Sequence, residues 1–421
     1  MKNPLFARTF ILVTTLGLPM PAFSQPIPRP EAVPALDRLL QAAVDRKDIP
    51  GVVAFAADRR GVVYQGAFAR AETAGADAGA LTTGAIFRIA SMTKAVTSAA
   101  LMQLVEAGRL ALDDPAAKYL PQLANPMVFE SFDVATGAYK LRLAAKPITV
   151  RHLLTHTSGL GYGFTSATLR DFKPREGERF EVGPLLFEPG TDWVYGTGID
   201  WVGRLVESLS GQTLEAYFQT RIFGPLKMPD TSYNVPAEKQ VRVVNVYRRL
   251  ADGSFEERPR TAPKVATSFN GGGGLYSTAA DYLRFLRMVL NSGELDGVRI
   301  LSRDTVALMG RNHIGDVGVR AIKSALPEMS SDFTFVADQR DKWGLGFQIT
   351  TDDVAGKRAA GSLSWGGINN TYFWVDPSRG VAGVILMQFL PFADARALAV
   401  YDEFERGVYQ LNAGRGAAKQ P

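Results

Sequence analysis

The chain of 421 residues has no cysteine, which excludes a disulfide framework, a thiolate nucleophile and a thiolate metal site. Histidine is scarce too: His152, His156 and His313 are the three it has. None of them falls in a His-Glu-x-x-His or paired His-Asp spacing, so a metal-dependent hydrolase is disfavoured and no metal is expected. Gly-x-Ser-x-Gly is missing, which removes a common sequence sign of a Ser-His-Asp hydrolase. No basic run or basic-aromatic cluster suggests nucleic acid, and nothing in the pattern asks for a cofactor. Internal repeats and low-complexity segments are also absent.

Long hydrophobic runs are lacking as well. The apolar stretch Phe10 to Met20 is too short, and too interrupted by Thr14, Thr15, Gly17 and Pro19, to span a bilayer. With Lys2 and Arg8 before it and Ala22-Phe23-Ser24 after it, residues 1–24 read as a secretory signal peptide cleaved after Ser24. The expectation is export, to the periplasm or beyond, with no integral membrane segment left. The net charge of +5 falls by two without Lys2 and Arg8, an ordinary value for this size. At 46% hydrophobic and 21% charged residues, the rest suits a globular protein of one large or two intertwined domains, held by its core alone.

Residues from Ala35 to Asp45 place Leu36, Leu39, Leu40 and Val44 at helical period. Gly51 to Ala57 and Gly61 to Phe68 read as two strands of an antiparallel hairpin. From about Leu112 to Arg260, prolines including Pro115, Pro121, Pro126, Pro147, Pro184 and Pro189 break the pattern into loops and short helices. Helices are expected at Ile148 to Thr155, at Ile199 to Leu209, and over Tyr276 to Leu290, where Ser277-Thr278 can cap the first turn. Strands return at Leu345 to Ile349, Thr371 to Val375 and Val381 to Gln388, before a last helix from about Ala393 to Tyr409. Strands at both ends with helices between them imply an α+β fold, an antiparallel sheet flanked by helices, built from both termini, with a mainly helical domain inserted. The expected division is 33–85 with 265–415 for the α/β part and 86–264 for the helical part. A cleft between two such parts is a common place for a small-molecule site.

Chemistry enters with Ser91-Met92-Thr93-Lys94, the one Ser-x-x-Lys in the chain, at the start of a helix-compatible run. Three residues apart on a helix, the Ser91 hydroxyl and the Lys94 amine share a face, which is the arrangement of an activated nucleophile. The bland reading is a serine N-cap and a solvated lysine, but a cation in the first turn opposes the helix dipole. Tyr195, in the glycine-flanked turn Trp193-Val194-Tyr195-Gly196-Thr197-Gly198, is either a packed aromatic or a phenol that moves protons in a cleft. Ser364-Trp365-Gly366-Gly367-Ile368, ahead of the strand at Thr371, reads as a bulge or tight turn, or as a place where a ligand approaches the backbone closely.

Together these segments resemble the serine beta-lactamase and penicillin-binding protein superfamily, its class C beta-lactamase-like branch, and within it the family VIII carboxylesterases. The resemblance runs from about Val33 to Tyr409 and includes Leu153-Leu154-Thr155-His156-Thr157-Ser158-Gly159-Leu160, Glu188-Pro189-Gly190 and Gly274-Leu275-Tyr276-Ser277-Thr278-Ala279-Ala280-Asp281. It implies a serine beta-lactamase-like fold, Ser91 as acyl-accepting nucleophile, Lys94 as its proton partner and Tyr195 as general base and acid. The oxyanion donors would be the N–H groups of Ser91 and Ile368. Two departures matter: Thr197 stands where the lactamases have the Asn of Tyr-x-Asn, and Trp365-Gly366-Gly367 replaces Lys-Thr-Gly.

Loss of that lysine weakens recognition of an anionic lactam, and an aromatic wall favours neutral acyl or alcohol groups. Hydrolysis of a small-molecule ester through an acyl-enzyme is therefore ranked first, with weak cephalosporin opening as a side activity. The alternatives are a beta-lactamase, a D-Ala-D-Ala peptidase drawing a cation from Arg311, Arg320 or Lys323, and a non-catalytic peptidoglycan-binding or penicillin-binding module. His156 is read as a satisfied structural histidine. Tyr162, Phe164, Phe172 and Phe180 are read as core, or as a cleft lining that limits acyl size.

Overall fold

Seven antiparallel strands form the main sheet of the computed structural model, which describes residues 32–69, 81–258, 265–334 and 340–417. The expected signal peptide, residues 1–24, lies outside the described residues. Across the sheet the strands run Lys342–Trp343, Gln348–Ile349, Leu363–Gly367, Thr371–Asp376, Val381–Leu386, Gly51–Asp58 and Val62–Ala69. The two ends of the chain thus meet inside one sheet, with Phe55 opposite Val384. Their residues are buried on both faces, so these strands read as near-continuous apolar runs rather than as an alternation.

Neighbouring residues of one strand show what covers each face. Phe373 meets Tyr282 of the Ala279–Leu290 helix, whereas Tyr372 and Trp374 meet Tyr401 of the Ala395–Ala417 helix. The first helix, Ala32–Asp45, packs beside that last helix. Trp365 stands directly opposite Phe373 in the ladder, so its indole points to the Tyr282 face, toward the helical insertion.

Helix boundaries follow local chemistry. Thr278 caps Ala279–Leu290 by accepting from Asp281 N–H at 3.1 Å. Gly198–Ser210 stops at Gly211, whose φ of 69° is the left-handed conformation glycine adopts without penalty. Thr93–Glu106 is apolar or small on nearly every side, as a helix buried all round must be.

Several expectations shift. Ser91 lies in a short 3₁₀ turn, Ala90–Met92, and the helix proper begins at Thr93. Ser364 to Gly367 belong to a strand, Leu363–Gly367, rather than to a bulge or turn before one. Glycine disfavours strands through entropy, but a Cβ at Gly367 would overlap the carbonyl oxygen of Ile89, so the close approach of the Ser91 turn requires it. The Leu345 to Ile349 strand is reduced to Gln348–Ile349, paired with the unanticipated Lys342–Trp343. The last helix continues past Tyr409, and the insertion holds two hairpins, Met127–Phe132 with Tyr139–Leu143 and Tyr247–Arg249 with Phe255–Glu257. Both hairpins are largely exposed or half-buried, so burial left little periodic pattern to read.

Candidate active site

The Ser91 turn is held from three directions. Ile89 N–H donates to Leu275 O at 3.0 Å, Tyr282 OH donates to Met92 O at 2.9 Å, and Asn369 Nδ2 donates to Arg88 O at 3.2 Å. Ala90, just before the serine, has a φ of 45°, a conformation costly for a residue with a Cβ and kept only where the surroundings impose it. Among the described residues, neither Ser91 N–H nor Ile368 N–H pairs with a backbone carbonyl. Both residues line one small cavity.

Lys94 is buried, at 1% exposure, which removes the solvated-lysine reading. Its Nζ sits within hydrogen-bond distance of Gly272 O (2.7 Å), Tyr162 OH (3.1 Å) and Ser91 Oγ (3.2 Å). It also lies over the Tyr195 ring, 4.8 Å from the centroid. The helix that carries it is fixed to the glycine run by Thr97 Oγ1, which donates to Gly271 O at 2.7 Å.

Tyr195 is buried between Trp365, Tyr162 and His156, with ring centroids 4.9, 5.3 and 4.9 Å away. Its hydroxyl accepts from Trp365 Nε1 at 3.3 Å. Among the described residues no hydrogen bond joins Tyr195 directly to Ser91 or Lys94, yet Ser91 and Tyr195 face the same cavity. His156 Nδ1 accepts from Gly196 N–H at 3.3 Å, whereas its Nε2 is buried without a partner. It is therefore only half satisfied. Burial, reinforced by Lys94, holds the imidazole well below its usual pKa and hence neutral.

The cavity has a volume of about 20 Å³, room for about one water molecule. Ser91, Tyr195, Trp365, Gly366 and Ile368 meet there with Phe164, Ile322, Phe333 and Phe392. No charged side chain is among the described residues that line it. Arg320 instead donates to Asp192 at 3.0 Å and Lys323 to Asp332 at 2.8 Å. Thr197 occupies the N-cap position of Gly198–Ser210, and Gly367 packs on Ile89; neither is part of the lining. Of the four aromatics considered for the cleft, Phe164 lines it and Tyr162 stacks on Phe164 while touching Lys94. Phe172 packs with Phe129, Tyr139 and Phe180 in a separate cluster.

Sequence reasoning missed Asp200. Tyr162 OH donates to its Oδ2 at 3.3 Å, and Gly272 N–H donates to its Oδ1 at 2.8 Å. Burial raises the pKa of both groups: Tyr162 goes well above the phenol range, and Asp200 rises while Lys94 opposes the shift. An acidic residue in the first turn of Gly198–Ser210 was the available signal, but a helix dipole explains such a residue equally well.

The sequence profile described as Beta-lactamase matches residues 36–405. The chain belongs to the Beta-lactamase family. The sheet built from both termini, with the helical insertion against one face, is the beta-lactamase-like fold. Lovastatin esterase of Penicillium rubens is 30% identical over 402 residues, covering 89% of this chain and 98% of that one. Monacolin J acid methylbutanoyltransferase of Aspergillus terreus is 30% identical over 402 residues, covering 90% and 96%. Among solved structures, unliganded simvastatin synthase (LovD) of Aspergillus terreus, a selenomethionyl derivative, superposes with a TM-score of 0.75 at 28% identity, covering 90% and 98%. This member of the Beta-lactamase family is a serine hydrolase or acyl-transfer enzyme.

Proposed function

We propose that the protein is a serine carboxylesterase of the family VIII kind, cleaving short-chain carboxylic esters through an acyl-enzyme. The observation that carries this reading is the lining of the cavity at Ser91: aromatic and aliphatic walls that include Trp365 and no charged side chain among the described lining residues. Such walls favour a small neutral acyl group and offer nothing to the carboxylate of a lactam or a stem peptide. The buried Lys94 and Tyr195 beside the serine argue for turnover rather than silent binding. Export, as residues 1–24 suggest, would place this work outside the cytoplasm.

In the first half-reaction Ser91 Oγ bonds to the ester carbonyl carbon and its proton passes to Lys94 or Tyr195. The carbonyl oxygen, now negative, lies between the N–H groups of Ser91 and Ile368, where each donor contributes about 10²–10³-fold. As the tetrahedral intermediate collapses, the C–O bond to the alcohol breaks and Tyr195 is placed to protonate the leaving oxygen. Water then attacks the acyl-Ser91 carbonyl, giving its proton back through the same groups.

An alcohol could take the place of that water. The relatives' names, one an esterase and one an acyltransferase at equal identity, make acyl transfer the second reading. The test is hydrolysis of p-nitrophenyl acetate and butanoate beside a chromogenic cephalosporin, for the wild-type protein and for Ser91→Ala, with and without added short alcohols. Ester turnover lost in Ser91→Ala, with little lactam opening, is expected. Dominant lactam opening, or full ester activity in Ser91→Ala, would overturn the reading; a transfer product formed with alcohol at the expense of acid would favour the second.

A further inference from the structure

A lysine amine that accepts a proton must aim its lone pair at the donor, and the surroundings of Lys94 contain a competitor for it. Among the described residues Nζ has three oxygen neighbours: Gly272 O, Tyr162 OH and Ser91 Oγ. The first can only accept. The other two are hydroxyls, and either could donate into the lone pair of a neutral amine. If Tyr162 did so, Ser91 would be left with an N–H pointing at it and no base.

Asp200 removes that competition. Its Oδ2 takes the Tyr162 proton, and its Oδ1 is anchored by Gly272 N–H, so the carboxylate accepts at both oxygens. Tyr162 then presents only oxygen lone pairs to Lys94. In the deprotonated form that acylation requires, with one N–H on Gly272 O and the other on Tyr162 OH, the direction left to the Lys94 lone pair among the described residues is Ser91 Oγ.

We propose that Asp200 and Tyr162 are positioning residues that orient the Lys94 amine as the proton acceptor of Ser91, with Asp200 acting through the direction of the Tyr162 hydroxyl. In acylation the Ser91 O–H bond breaks, a third N–H bond forms at Lys94, and the oxygen electron pair forms the bond to the acyl carbon. The proton held as the Lys94 ammonium is the one later returned, with Tyr195 facing the leaving group. The inference rests on the acyl-enzyme reading above, and it assigns the base that reading leaves between Lys94 and Tyr195.

Asp200→Asn is the discriminating variant because it keeps the shape and an oxygen for Gly272 N–H. Its amide N–H₂ would face Tyr162 and donate, turning the phenol O–H to hydrogen-bond into the Lys94 lone pair. The expected result with p-nitrophenyl butanoate is a fall in kcat of about 10²-fold, within the range for a lost general base, with KM changed less than about threefold. Adding Tyr162→Phe removes the misplaced donor, so the double variant should recover to within about tenfold of wild type. A structural role predicts the reverse, a double variant at least as damaged as the single. Unchanged kcat in Asp200→Asn, or no recovery in the double variant, would overturn the proposal. Thermal melts identify a misfolded single variant. In that case Tyr162→Phe alone decides: kcat lowered about threefold to tenfold at constant KM supports the proposal, and wild-type kcat overturns it. Ser91→Ala is measured alongside. Turnover surviving there removes the acyl-enzyme reading itself, whereas an inactive Ser91→Ala beside a fully active Asp200→Asn removes only the positioning role.

Discussion

Trp365 donates its indole N–H to the hydroxyl oxygen of Tyr195 at 3.3 Å, while its ring closes one side of the cavity at Ser91. One residue therefore supplies an apolar wall and a donor to the phenol that faces the same cavity. The pairing depends on two distant segments. The strand Leu363–Gly367 aims the indole, and packing on His156 and Tyr162 fixes the phenol.

These two contributions of Trp365 separate by mutation. Trp365→Phe keeps an aromatic wall against Tyr195 and Trp343, 4.9 and 4.7 Å away by centroid, but removes the N–H. Its kcat for a short ester should drop about tenfold, as for one lost hydrogen bond of roughly 1.5 kcal/mol, with little change in melting temperature. Trp365→Ala should in addition lower stability by about 3–5 kcal/mol. Steady-state kinetics and denaturant unfolding measure both, and equal kcat in Trp365→Phe and wild type would show that the N–H does not matter.

Acyl length should follow the walls of the cavity. Ile322 is a buried residue of its lining, and Ile322→Ala removes carbon volume while leaving Ser91, Lys94 and Tyr195 in place. Since one methylene in such a pocket is worth about 1–3 kcal/mol, kcat/KM for a hexanoyl ester relative to an acetyl ester should rise about tenfold. A chain-length series of p-nitrophenyl esters reads this directly. An unaltered profile would mean that the acyl group lies elsewhere.

Gly272 is required for a close approach. A Cβ built there would stand 2.5 Å from Asp200 Oδ1, so Gly272→Ala must push the carboxylate away from the Gly272 N–H and the Tyr162 hydroxyl. The expected outcome is a loss of kcat of about 10²-fold, with near-ultraviolet circular dichroism showing the fold retained. Activity at the wild-type level would contradict the packing described.

Asp281 sets a pH dependence of stability whose sign is opposite to that of most carboxylates. Burial pushes its pKa up to about 6, although Asp230 N–H and Thr231 Oγ1 both donate to it. The folded state thus holds the proton more tightly than the unfolded state. The contribution is full below about pH 4 and is lost as pH rises toward about 6, in total about 2–3 kcal/mol at roughly 1.4 kcal/mol per pKa unit. Asp281→Asn should remove this slope. Urea midpoints measured for both proteins from pH 4 to 8 should converge at the acid end, separate between about pH 4 and 6 and stay a constant distance apart above that; curves parallel over the whole range would count against the assignment.

Ser91 and Lys94 were legible because their relation is local: three residues apart where a 3₁₀ turn runs into a helix, they meet within one turn of backbone. The sheet built from both termini was legible because strands buried on both faces leave long apolar runs such as Gly51–Asp58 and Val381–Leu386. Leu363–Gly367 was not, because its glycines answer to the close approach of Ile89 rather than to strand propensity. Phe172 and Phe180 look no different in sequence from Phe164, and only tertiary packing sends them to another cluster.

The residue types alone determined which chemistry is open to this protein. With no thiolate, few imidazoles and one Ser-x-x-Lys, the sequence displayed Ser91 as its nucleophile candidate, and the resemblance to the serine beta-lactamases supplied acyl transfer as its implied reaction. Tertiary structure decided which groups act together. The Asp200, Tyr162, Gly272 and Lys94 contacts join segments far apart in the chain. The direction of a hydroxyl proton depends on what lies around it in space, and no spacing in the sequence records that.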